Sequence, residues 1–412
     1  MSGLNEKSLG PRLRGDDRDR VAARGLLSSA AVRERAQELL AIALAGGLSD
    51  WRVDLDRLAL AADLTAEVVR ASYPDLKVPF HARWRHFVVE GRDLWAEGLA
   101  ARGWAGRAEA GRAAFDLVIP SVLLDAGAGA AWRYRDAATG AVLGRSEGLG
   151  VASLRLFESG ALSSDPADPL RADALDRVDA ALLARAFQVS EDNPLVGLDG
   201  RAALLRRLGE AVGRPGTLFD VMAGRARGGR LPAPVILEVL LDALGPIWPG
   251  RLELGGVALG DCWRHPALRR DDATDGLVPL HKLSQWMSYS LIEPLEAAGV
   301  EVHDIDGLTG LAEYRNGGLF VDTGVLVLGD PQDAGRAHPV DGPLVVGWRA
   351  LTVALLDRLA PLVRERLGVR AEDFPLARVL EGGSWAAGRR IARELRADGG
   401  PPIAVISDGT VF

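Results

Sequence analysis

Four polar side chains, Lys282, Gln285, Tyr289 and Glu293, follow Pro279 at spacings of three, four and four residues. At 3.6 residues per turn they share one narrow stripe of a helix, while Leu283, Trp286, Met287 and Leu291 point elsewhere. A solvated face is the common origin of such a stripe. Here the flanks are aromatic, and Lys282 is one of only three lysines in the chain, with Lys7 and Lys77. A second cluster lies in LTGLAEYRNGGLFVD, residues 308–322, where Glu313, Tyr314, Arg315 and Asn316 arrive together. Leu308 and Leu311 are expected to anchor a short helical turn that breaks at Gly317-Gly318, with LFVDTGVLVL strand-like after it. A carboxylate, a phenol, a guanidinium and an amide between two apolar segments suit the mouth of a pocket. The plainer reading is a local Glu–Arg pair with a helix cap.

GDCWRHP, residues 260–266, offers Asp261, Cys262 and His265. Its Cys-x-x-His spacing suits zinc, but a site takes three or four ligands, and only His281 and Asp261 remain to complete one. The expectation is no metal and no cofactor, with Cys262 buried and His265 hydrogen-bonded. No GxSxG nucleophile motif occurs. An apolar run ends at Asp125 and passes into a Gly-Ala stretch, then into WRYRDAATGAVLGR, which has strand–turn–strand character with Thr139-Gly140 in the turn. The stretch lacks GxGxxG spacing, yet glycine lets backbone approach a ligand closely, here beside Asp125, Trp132 and Arg133. PFHARWRHF, residues 79–87, reads as a helix start with arginine stems over rings; an anion contact by Arg83, Arg85 or His86 is the alternative. EGGSWAAGR (381–389) and the terminal SDGTVF are Gly-rich polar clusters with no assignable chemistry.

These groups must be held by a chain of 412 residues, 48% apolar, with a net charge of −7 and one cysteine. The length allows two or three domains. Arginine carries nearly all the positive charge without a basic stripe, which disfavours nucleic acid as a partner. No apolar run is long enough to span a membrane, the N-terminal residues lack the apolar core of a signal peptide, and a lone cysteine fits a reducing compartment. A cytoplasmic protein is expected. Helices are expected over 29–64 (two, the first ending at Gly46-Gly47), over 168–245 with breaks at Asn193-Pro194 and Arg214-Pro215-Gly216, over 278–299, and over 344–367 with a bend at Pro361. Long helices with one or two small β pieces argue for a mainly α fold. The expected division is a flexible lead-in at 1–20, an N-terminal helical subdomain at 21–115, and a main domain at 116–412 carrying the site.

From about residue 79 to the end the chain resembles the fungal and bacterial uracil catabolism protein four family. The motifs that carry this are RSEGL, FQVSEDNPLVG, GDCWRHP, VPLHKLSQWMSYSLIEPLE, LTGLAEYRNGGLF, WRALTVALLD, LEGGSWAAGR and PPIAVISDGTVF, in that order. Membership implies a place in the uracil pathway that opens the pyrimidine ring and proceeds through ribosylurea. A second resemblance, to the queuosine salvage nucleotide N-glycosidase, rests on HKLSQ (281–285), TGLAEYR (309–315) and GWR (347–349) in the same order. It implies a helical, DNA-glycosylase-like architecture and puts Glu313 where that enzyme has its active-site aspartate, with Lys282, Gln285 and Arg315 also matching. Gly347 stands where that pattern has a glutamate.

The reading that results is an N-glycoside hydrolase cleaving ribosylurea or its phosphate, a nucleoside- or nucleotide-like small molecule, to urea and a ribose unit. Glu313 would stabilise an oxocarbenium-like state, with Arg315 or Lys282 lowering its pKa. Tyr314, Asp125 or Asp261 would serve the leaving nitrogen. Asp125, Gln285 or Asn316 would engage hydroxyls, Arg133, Arg145 or Arg349 a phosphate, and Trp132 and Trp263 would wall the pocket. The alternatives are a metal-dependent ring-opening amidohydrolase built on Asp261, Cys262, His265 and His281, or a non-catalytic pathway partner.

Overall fold

The computed structural model describes residues 15–406 except 103, 126, 130 and 249. The first fourteen residues of the expected lead-in and residues 407–412 of the closing motif lie outside the described residues. The fold is mainly α: its described strands form only two-stranded pairs.

Two helices organise the interior. Pro343–Leu367 follows the N-terminal-proline, C-terminal-glycine rule, with Pro343 in its first turn and Gly368 closing it at φ +69°. It is buried on nearly every side along its first half, as a core helix must be. Pro361 lies within it, where the missing N–H and the ring tolerate helix but favour a bend. Ser29–Leu44, capped by the Ser28 hydroxyl on the Ala31 N–H, and Leu58–Ser72 pack against it. The second core helix is Lys282–Ala297, which packs on Arg107–Leu123 and Ala233–Leu244. One hydrophobic core runs from Leu27 to Ile403, so the N-terminal helices share it with the rest.

Several local expectations need correction. The second expected helix starts later than its apolar spacing suggests: Trp51–Val53 is a strand paired antiparallel with Leu326–Leu328, Leu55–Arg57 is a 3-10 turn, and the α-helix starts at Leu58. Residues 15–20 of the expected lead-in belong to the helix Gly15–Gly25, whose Ala23 packs with Leu26, Leu259, Cys262 and Leu277 in a small satellite core. The hairpin is present as Tyr134–Arg135 paired with Val142–Leu143, with Gly140 at φ +77° in its turn. The largest difference concerns residues 314–322. Tyr314–Asp322 is a helix that runs through Gly317 and Gly318 instead of stopping there. Packing explains it. A Cβ on Gly317 would lie 2.7 Å from the Trp348 indole nitrogen, and one on Gly318 3.2 Å from Pro402. The glycines serve close approach, not termination.

Candidate active site

Residues 308–313 form a buried, non-helical loop that ends at Glu313. Buried loop backbone needs partners for its polar groups, and side chains from three helices supply them. Arg33 donates to the carbonyls of Asp306, Gly307 and Leu308. Gln285 accepts from the Thr309 N–H at 3.3 Å, and Tyr289 donates to the Thr309 carbonyl at 2.9 Å. The Arg349 guanidinium donates to the Ala312 carbonyl at 3.2 Å. The polar stripe on Lys282–Ala297 is therefore buried at its middle, where Gln285 and Tyr289 hold this loop, while the half-buried Glu293 pairs with Arg85 at 2.6 Å.

Glu313 caps the helix Tyr314–Asp322. Its carboxylate accepts from the Arg315 N–H at 2.7 Å and the Asn316 N–H at 2.5 Å. These donors fix both oxygens, and the positive end of the helix favours their charge. Burial raises the Glu313 pKa; the two N–H donors, Lys282 and His81 oppose that rise without cancelling it. Asn316 is fully buried and links the Leu311 carbonyl to the Ser384 hydroxyl.

Glu313 lines a cavity of about 110 Å³ together with His81, His86, Asp125, Gly127, Ser146, Lys282, Trp286, Leu311, Tyr314 and Trp385. Lys282 starts its helix, its backbone N–H donating to Asp261 at 2.9 Å. Burial lowers its pKa, opposed first by Glu313 and then by Asp125. Asp125 accepts from Arg83 at 2.9 Å and from the Ser146 hydroxyl at 3.1 Å. Arg83, fully buried, lies over the Trp286 ring and also donates to Nδ1 of His86 at 3.4 Å. That contact leaves the His86 proton on Nε2. Burial and the Arg83 charge push the His86 pKa down to about 3, so the ring is neutral at physiological pH. PFHARWRHF thus combines both readings offered for it: stems over rings, and an anion contact to a carboxylate of the protein itself.

His81 sits between Trp286 and Trp385, with its Nδ1 2.6 Å from Glu381. Glu381 occupies a π-helical turn, Leu380–Ser384, a local widening that often marks functional positions. The turn is pressed into the fold: Cβ atoms on Gly382 and Gly383 would lie 2.7 Å from Val78 and 2.6 Å from Thr65. The following helix, Trp385–Leu395, packs on Tyr314–Asp322 so closely that a Cβ on Gly388 would lie 2.0 Å from the Arg315 carbonyl oxygen.

A second chamber of about 350 Å³ shares Gly127, Ser146 and Tyr314 with the first and adds Arg145, Arg315, Gly129, Gly399 and Gly400. The structure thus brings Glu313, Tyr314, Arg315, Lys282, Asp125 and Arg145 to the two chambers. It does not bring Gln285 or Asn316, which brace the loop. Asp261 and Arg349 form a two-pronged pair at 2.8 Å behind the site, and Asp261 also accepts from the Trp263 indole at 2.6 Å. Trp132 is a core residue donating to the Phe187 carbonyl, and Arg133 lies on the hairpin surface. The aromatic walls are Trp286 and Trp385, not Trp132 and Trp263. His81, Glu381 and Trp385 carry no assignment in the sequence reading, and His86 only an alternative one. Their signal was a glycine pair followed by Ser-Trp, and histidines flanking an aromatic-basic run.

Cys262 is buried in the satellite core, where burial pushes its thiol pKa well up, and His281 faces the Leu26 carbonyl. Among the described residues no three His, Cys, Asp or Glu side chains converge in a metal-binding group. No helix among them is long and apolar enough to cross a membrane. A Cβ on Gly347 would face His265 and Trp51, so the position lacking the glutamate of the second resemblance points away from the cavity.

A mainly helical chain with a polar, aromatic-walled cleft is the class that the fold and site define. Residues 25–412 match the family described as protein of unknown function DUF1688, and the chain belongs to that family. It is 40% identical over 405 residues to protein urg3 of Schizosaccharomyces pombe, covering 94% of this chain and 98% of that protein. It is 38% identical over 409 residues to uracil catabolism protein 4 of Lachancea kluyveri, covering 88% of this chain and 92% of that one. The family resemblance read from the motifs is borne out.

Proposed function

We propose that this protein serves uracil catabolism as an N-glycoside hydrolase, cleaving ribosylurea or its phosphate to urea and a ribose unit. The names of its relatives support the pathway. The observation that carries the reaction is a carboxylate, Glu313, clamped at a helix N-terminus inside a cavity that also holds Lys282, a carboxylate-paired histidine and two tryptophan walls.

In this reading the bond from the ribose anomeric carbon to the urea nitrogen breaks, and its electron pair leaves with nitrogen. The sugar passes through an oxocarbenium-like state. Glu313, held rigidly by two N–H donors, faces that charge and takes a proton from the water that attacks the anomeric carbon. A carboxylate with a raised pKa is better matched to accepting a proton near neutral pH. His81 gives a proton to the departing nitrogen from Nε2, its Nδ1 being held by Glu381. Asp125, fixed by Arg83 and Ser146, meets a sugar hydroxyl. Water supplies one hydroxyl and one proton overall, giving ribose and urea.

The test is urea release from ribosylurea and from its 5′-phosphate by purified protein; no release from either by folded protein contradicts the reading. His81→Gln is expected to slow urea release by about 100-fold or more. The same variant should keep most of its rate on a riboside whose leaving group departs without a proton, such as a nitrophenyl riboside. Equal loss on both substrates would mean that His81 does not act as the acid.

A further inference from the structure

The outer chamber differs from the inner one in charge. Two arginines, Arg145 and Arg315, line it, and no carboxylate does among the described residues. Arg315 is only 6% exposed. Its guanidinium lies 4.9 Å from the centre of the Tyr314 ring and, among the described residues, donates to a single acceptor, the Gly399 carbonyl, at 2.9 Å.

Buried charges are normally paired, and the comparably buried arginines follow that rule. Arg83 binds Asp125, Arg349 binds Asp261, and Arg35 lies beside Glu34 and Glu38. Arg201 donates to the backbone carbonyls of Val196, Leu124 and Gly127. Arg315 has neither arrangement. Arg145 adds a second anomaly. It begins the helix Arg145–Glu158 at φ +53°, a backbone region where glycine is the default. A non-glycine residue held there marks a position where its side chain is retained at a cost, as at functional sites. The Arg145 guanidinium has no acidic partner among the described residues.

We propose that the outer chamber binds the phosphate of a 5′-phosphorylated riboside whose anomeric carbon lies in the inner chamber, so that the substrate is a sugar phosphate and not a free nucleoside-like compound. This rests on the glycosidase reading for the inner chamber. The shared lining by Gly127, Ser146 and Tyr314 makes the two chambers one bent site, with the reacting bond by Glu313 and a dianion by Arg145 and Arg315. Guanidinium groups suit phosphate because they present paired donors. The glycines on both sides leave room for a tetrahedral group.

The experiment is titration of the full-length protein with ribose 5-phosphate and with ribose, alongside urea release from phosphorylated and unphosphorylated ribosylurea. Wild type is expected to bind ribose 5-phosphate about 100-fold more tightly than ribose. Arg145→Gly, which suits the left-handed backbone and removes the charge, should cut that ratio by about 10-fold or more. Arg315→Gln should do the same, and the exposed Arg145 keeps the test decisive if Arg315→Gln fails to fold. Equal binding of the two sugars, or a ratio unmoved by Arg145→Gly, overturns the subsite. Urea release with no preference for the phosphorylated substrate also overturns it while leaving the glycosidase reading intact. Arginine-dependent binding of ribose 5-phosphate without urea release from either substrate sustains the subsite and sinks the glycosidase reading instead.

Discussion

Glu313→Gln is expected to lower kcat for urea release by about 100- to 10,000-fold and to leave the protein folded. The amide has one acceptor oxygen where the carboxylate has two, so one of the bonds to the Arg315 and Asn316 N–H groups is lost. That costs about 1 kcal/mol of stability, far less than the change in rate demands. Glu313→Ser separates the two roles more sharply. Serine is a preferred helix cap, so this variant should be nearly as stable as wild type and nearly inactive. An active Glu313→Ser protein would reduce Glu313 to a cap. The pH profile offers a third reading of the same residue. Because burial holds the Glu313 pKa above its ordinary 4.5, activity should fall with decreasing pH through a midpoint above that value. His86, neutral down to about pH 3, does not supply this limb.

Arg349→Met is expected to destabilise the fold by roughly 3–5 kcal/mol, because it leaves Asp261 buried without its cation. The arginine is 1% exposed, and its pair with Asp261 is two-pronged. Asp261 also holds the first N–H of the Lys282–Ala297 helix, and Arg349 the carbonyl next to Glu313. Loss of the pair therefore reaches both Lys282 and Glu313, and residual activity should fall beyond the loss of folded protein. Adding Asp261→Asn should recover part of the stability, giving a coupling measurable by a double-mutant cycle. The pH dependence has a definite sign. Arg349 leads the interactions that hold the Asp261 pKa well below 3.8, although burial acts the other way. Its contribution is present above pH 3.8 and is lost as pH falls through the folded-state value. In Arg349→Met the carboxyl protonates at higher pH, so the gap from wild type should narrow as the solution is acidified. Chemical denaturation at two pH values measures it.

The sequence made the helices legible because their apolar spacing, caps and breaks are local. Pro343 and Gly368 bracket one, and Arg214-Pro215-Gly216 separates two others. The Lys282–Glu293 stripe was visible for the same reason, but not what lies across from it. Gln285 and Tyr289 meet Thr309 through the fold, and periodicity shows a face without its partner. Gly317-Gly318 misled for a physical reason: a glycine pair ends helices when the backbone turns left-handed, whereas here it admits Trp348 and Pro402. The deepest omissions are pairs far apart in the chain. His81 and Glu381 are separated by 300 positions, Arg349 and Asp261 by 88. Either partner alone is an ordinary polar residue, and only tertiary contact brings each pair together. The walls were misassigned likewise, since nothing local to Trp132 or Trp263 tells a core indole from the cavity pair Trp286 and Trp385.

The central claim is cleavage of the sugar–nitrogen bond, and heavy-oxygen water tests it most directly. A single turnover of phosphorylated ribosylurea in ¹⁸O-water should release urea without the label and place ¹⁸O on the anomeric carbon of the ribose unit. Trapping the sugar by reduction before it exchanges oxygen with solvent preserves the mark. Label in a carbamoyl fragment with release of ammonia, and none on the sugar, would contradict the account and identify amide hydrolysis instead.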